Sequence, residues 1–90
     1  DGMTAPKLMA TFKEEKGRLL FNDFIQDSPA RAAGIRAEDV LVSLDGVAVK
    51  EIPDIKIALF FKNKGDMMKV RVVRKRFFFG EQEMEFEVKL

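Results

Sequence analysis

Between Ser28 and Gly34 the chain writes a helix start and a helix stop almost on top of one another. Ser28 is a good N-cap, because its hydroxyl accepts an N–H that the first helical turn leaves without a partner. Pro29 suits the first helical position, where a missing N–H removes nothing. Gly34 supplies the left-handed residue that ends a helix, and Ile35 behind it is placed to fold back onto the turn. So short a helix cannot stand alone, so the segment must turn the chain from one strand to the next. Its serine, with Glu38, Asp39 and Asp45 close by, poses a choice between catalysis and scaffold.

Composition decides most of that choice. Histidine and cysteine are both absent. That removes the Ser-His-Asp and Cys-His systems, the usual zinc ligand sets, disulfides and the commonest general base at neutral pH. Ser28 has no base, and capping accounts for it. Asp45 before Gly46 is what a tight turn asks for, and Asp39 is read as satisfying local backbone N–H groups. The chain is therefore not expected to be an enzyme, and nothing in it calls for a metal or a cofactor. Its 90 residues make one small domain. Sixteen Lys and Arg against fifteen Asp and Glu point to neither nucleic acid nor a membrane surface. No apolar run approaches the roughly 20 residues that span a bilayer, so no membrane insertion by this stretch is expected.

Residues 1–6 lack periodicity and are read as a disordered lead-in or a remnant of excision, with the folded domain over 7–90. Lys7–Lys13 and Arg18–Ile25 read as strands, and Phe24 falls out of alternation with Phe21, which marks a bulge. Val40–Leu44 is a buried strand that turns at Asp45-Gly46 into Val47–Val49. Pro53-Asp54 opens a second helix running to Lys62, and Gly65-Asp66 ends the connection after it. Met68, Val70 and Val72, then Met84, Phe86, Val88 and Leu90, alternate with charged residues as two strands of a hairpin. Glu81, Glu83, Glu85 and Glu87 on the returning strand face the cations of Arg71–Arg76, which argues against nucleic acid as a partner. Phe77-Phe78-Phe79 near the tip cannot all point inward. They either seal the open end of the sheet or meet a neighbouring domain.

Taken together, Ser28-Pro29-Ala30, Ala33-Gly34-Ile35, Glu38-Asp39-Val40, Leu44-Asp45-Gly46, Gly65-Asp66 and Arg74 resemble a bacterial PDZ domain. The likeness is to the kind attached to HtrA-type and other extracytoplasmic proteases, and it runs from about Lys7 to Leu90. It implies an α+β, PDZ-like fold: a small curled, mostly antiparallel sheet or partly open barrel of five to six strands, capped by two helices. It also implies a non-catalytic module of a larger bacterial protein, periplasmic or otherwise extracytoplasmic, with a protease among the candidate parents. Its partner would be a protein C-terminus or an extended peptide, added to the sheet as a further strand between the second helix and Leu8–Lys13.

Carried over by position, the family's carboxylate loop falls on Leu8-Met9-Ala10. Lys7 adds a charge-assisted contact, and Thr11 and Phe12 continue the edge. Met9 stands where the family has glycine, and a positive φ there would strain it by about 1–2 kcal/mol. Glu38 replaces a second family glycine. The opposite wall is assigned to Asp54, Ile57, Ala58 and Phe61, with Ile55 and Leu59 in the core. The loop length before Gly65 leaves the reverse assignment of the two faces open. Phe61 with Leu8 and Phe12 would then frame a pocket for the ligand's last side chain. The alternative function is a structural domain with a degenerate groove, used for interdomain packing or oligomerisation, and Met9 and Phe77–Phe79 speak for it.

Overall fold

In the computed structural model, which describes residues 3–78 and 80–90, the short helix is built as its residues dictate. Helix α1 (Pro29–Ala32) follows Ser28, whose Oγ accepts the Arg31 N–H at 3.3 Å. Gly34 closes it at φ +114°, the torsion that favours glycine, and a Cβ there would press on the Phe86 ring at 3.0 Å. Ile35 folds back and is buried, its N–H donating to the Ala30 carbonyl at 3.2 Å.

Among the described residues, seven strands form one antiparallel sheet: β1 (Met3–Ala5), β2 (Ala10–Glu15), β3 (Arg18–Phe24), β4 (Val40–Leu44), β5 (Val47–Ala48), β6 (Met67–Arg76) and β7 (Gly80–Lys89). Their order is β1-β2-β3-β4-β6-β7, with β5 paired to β4. With α1 and the second helix α2 (Ile52–Phe60), this is the expected α+β, PDZ-like architecture. It has seven strands where five to six were expected, and the addition is β1. That strand lies inside residues 1–6, which were expected to be disordered. No side-chain pattern marks it; it exists because Met3, Thr4 and Ala5 pair with Phe12, Thr11 and Ala10 on the outer edge of β2. Neither helix is long and apolar enough to cross a membrane.

The expected bulge is present. Thr11 pairs with Asp23 but Phe12 with Phe21, leaving Asn22 as the extra residue of β3. The slip brings Phe21 and Phe24 together, with ring centroids 5.9 Å apart, while Phe12 meets Phe21 at 4.6 Å. Asp45 and Gly46 turn β4 into β5 at φ +50° and +82°, the two positive torsions of a type I′ hairpin turn. Along β6 and β7, Met68 faces Val88, Val70 faces Phe86 and Val72 faces Met84, which delivers one apolar face to the core. On the other face Arg71 reaches Glu83 and Glu85 at 3.6 and 3.4 Å.

One buried ion pair ties the loop after α1 to the sheet. Asp39, 2% exposed, receives the Arg74 guanidinium on both oxygens at 2.8 and 2.7 Å, and the Arg36 N–H at 2.9 Å. Arg74 also donates to the Gly34 carbonyl at 3.1 Å and lies 5.6 Å above the Phe86 ring. These hydrogen bonds to Asp39 push the Arg74 pKa above its usual range. The pair carries the role read for Asp39, local N–H included, and adds a partner 35 residues away.

Candidate functional site

The residues between β1 and β2 form a turn whose backbone N–H groups converge on one oxygen. Leu8 N–H and Met9 N–H both donate to the Ala5 carbonyl, at 3.1 and 2.8 Å. Met9 holds φ at +53°, the left-handed torsion that glycine would adopt freely. The turn is held from behind: the Met9 carbonyl accepts the Ile25 N–H at 2.9 Å, and Ser28 Oγ donates to the Leu8 carbonyl at 2.7 Å. Ser28 thus caps α1 and braces the turn with the same hydroxyl. The capping was legible from neighbouring residues; the brace, which spans 20 positions, had no local signal.

The residues expected to form the loop side of the site do come together. Leu8 and Ala10 are fully buried, Phe12 is the buried floor, and Met9 lies half-buried at the turn. Thr11 turns its Oγ1 to accept the Asp23 N–H at 3.1 Å, which secures the bulge. Lys7 was expected to face a ligand carboxylate. It lines the cleft between this turn and α2, and its Nζ donates to the Leu59 carbonyl at 2.5 Å, where a cation suits the end of a helix.

The helical wall differs from the expected one. A cleft of about 550 Å³ opens between the β1–β2 turn and α2, walled by Ala5, Phe12, Ile55, Lys56, Leu59 and Phe60. Ile55 and Leu59 belong to the core as expected, and they also line this cleft. Asp54, Ile57 and Ala58 lie on the other side of α2, along a smaller cleft of about 270 Å³ against Leu44 and Val47. Phe61 is 81% exposed, away from Leu8 and Phe12, and meets Phe60 edge-on at 4.9 Å. The rotation is set by the helix start. At that start the Asp54 N–H donates to the Glu51 carbonyl at 2.9 Å, while the Asp54 carboxylate accepts the Lys50 and Glu51 N–H groups at 2.9 and 3.0 Å. Those N–H groups hold its carboxyl below the usual carboxylate range. Lys56 and Phe60 are the wall residues that sequence reasoning missed. Apolar residues at 55, 57, 59, 60 and 61 encircle the helix, so their pattern points to no single face.

Of the aromatic run at the far tip of the sheet, Phe77 and Phe78 are 92% and 80% exposed and pack edge to face at 4.5 Å. Phe79 lies outside the described residues.

An open sheet whose outer strand runs beside a helix, with a braced turn of converging N–H groups at one end, is an architecture that protein-interaction modules use. The comparison with known families agrees: the chain belongs to the PDZ domain family, which it matches over residues 6–90. It is a PDZ domain of the HtrA type. It is 36% identical over 70 residues to the "Probable periplasmic serine endoprotease DegP-like" of Chlamydia muridarum, covering 76% of this chain. It is also 36% identical over 69 residues, 74% of this chain, to "Serine protease Do-like HtrB" of Bacillus subtilis. The matched segments span 14% and 15% of those two proteins.

Proposed function

We propose that the domain binds an extended peptide, or a protein C-terminus, as a strand added to the outer edge of β2 beside α2, without catalysis of its own. The observation that carries this reading is the convergence of the Leu8 and Met9 N–H groups on a single acceptor at the mouth of an apolar cleft. A carboxylate placed there would accept charge-assisted hydrogen bonds, roughly twice as strong as those to a neutral carbonyl. Backbone pairing along Ala10–Phe12 would supply affinity, and Phe12, Lys56, Leu59 and Phe60 would select the side chain. A chemical-shift titration with a library of C-terminal peptides tests it. Shifts should cluster on 7–13 and on the Lys56–Phe60 side of α2. Phe60→Ala should weaken binding about tenfold, as truncation of a central apolar anchor does, while Phe61→Ala leaves it within about twofold. Shifts confined to Val47, Ile57 and Phe61 would overturn this placement.

A second reading, packing against another domain, is favoured by the exposure of Phe77 and Phe78. In the same titration it requires silence in the β2–α2 cleft, and shifts at the hairpin tip when other regions of a longer parent protein are added.

A further inference from the structure

Strand β1 occupies the place that the proposed function gives to a ligand. It runs antiparallel on the outer edge of β2, Met3 opposite Phe12, Thr4 opposite Thr11 and Ala5 opposite Ala10. Ala5 ends it at the turn, and its carbonyl takes both the Leu8 and the Met9 N–H. Ala5 is 4% exposed and forms part of the wall of the 550 Å³ cleft. The edge of Ala10–Phe12, the N–H pair and the mouth of the cleft are therefore all engaged by the chain's own backbone.

We propose that Met3–Ala5 is an intramolecular ligand, and that a peptide enters the groove only by displacing it. The inference rests on the groove reading above. The geometry makes the strand both effective and replaceable. It is tethered through four residues, Pro6–Met9, so its local concentration is on the order of millimolar, and a peptide displaces it only when the ratio of its concentration to its Kd exceeds the ratio of that local concentration to the strand's own intrinsic Kd. Among the described residues, its hold comprises three register pairs, a neutral carbonyl and the buried Ala5 methyl group. A peptide ending in a carboxylate offers the same N–H groups a full charge, and a side chain larger than that of Ala5 would fill more of the cleft. While β1 is in place it also covers an edge that would otherwise invite other strands.

The test uses a disulfide that can be made and broken. Thr4 and Thr11 are cross-strand partners, and opposed residues of an antiparallel pair lie about 4.5–5.5 Å apart at Cα, inside the range a disulfide spans. The chain has no cysteine of its own, so Thr4→Cys with Thr11→Cys forms a single possible bond. The probe is the pentapeptide Asp-Gly-Met-Thr-Ala with a free C-terminal carboxylate, the sequence of residues 1–5, titrated into labelled protein. Oxidation of the double variant should weaken probe binding by about tenfold or more, and reduction of the same sample should restore it. A chain shortened to residues 6–90, the stretch that matches the family, should bind the probe about tenfold more tightly than the full chain. Equal affinities in the oxidised and reduced forms overturn displacement and leave the groove reading standing, provided the shifts lie on β2 and α2. Absence of shifts there in the shortened chain, with this probe at about millimolar concentration and with the peptide library, overturns both.

Discussion

Met9 at φ +53° and Glu38 at +76° stand where the family pattern carries glycine, and both adopt the torsion that glycine adopts without strain. An L-residue in that region is strained by about 1–2 kcal/mol, partly offset because glycine loses more freedom on folding. Met9→Gly should therefore stabilise the domain by about 0.5–1 kcal/mol, read as a thermal midpoint several degrees higher. An unchanged or lower midpoint would show that the methionine side chain compensates. The Asp39–Arg74 pair behaves oppositely, because removing one partner strands the other. With Arg74→Met, the Asp39 carboxylate stays buried with the Arg36 N–H as its remaining donor, and the urea midpoint should report a loss of about 3–5 kcal/mol. The two family glycine positions and the Asp39 signal were legible in the sequence, since each sits in a turn with local meaning. The brace from Ser28 to Leu8 was not, because which hydroxyl meets which carbonyl depends on how distant strands lie together.

At the scale of elements, what could be read was whatever repeats. Helix α1 announced itself through Ser28, Pro29 and Gly34, and the β6–β7 hairpin through ten-residue strands of alternating pattern. The facing side of α2 was hidden. Each residue turns a helix by about 100°, so the wall falls on Lys56 and Phe60 or on Ile57 and Phe61 according to where the helix begins. Strand β1 was hidden for a different reason: three residues carry no period, and their conformation is imposed by the edge they pair with. The junction of the β4–β5 turn with the end of α2 carries a pH dependence. Burial pushes the Asp45 carboxyl up, but the Lys62 ammonium at 2.8 Å and the Lys69 N–H at 2.8 Å outweigh it and hold its pKa below the ordinary 3.8. A carboxyl lowered on folding contributes stability above that ordinary value and loses it as pH falls through the folded value. Asp45→Asn keeps a residue that tolerates the turn's positive φ, so its urea midpoint should fall less steeply than that of the unmodified chain as the solution is acidified below 3.8. Parallel curves for the two proteins would remove Asp45 as the cause.

Across the whole molecule, the two outer strands of the sheet are guarded in different ways. Strand β7 alternates Glu81, Glu83, Glu85 and Glu87 along its length, and such charged edges discourage pairing with other chains. Among the described residues, the edge of β2 is covered by β1 over Ala10–Phe12. The attachments of the two ends of the chain differ accordingly. Strand β7 is matched to β6 at ten positions, and Leu90 is bonded in both directions to the connection after α2, its carbonyl accepting from Gly65 at 2.6 Å and its N–H donating to Asp66 at 2.9 Å. Strand β1 is matched at three. Tension drawn along the backbone is therefore borne unequally. On the pairing of the described residues, β1 is expected to peel away under a smaller load than β7, and the place it would vacate is the outer edge of β2.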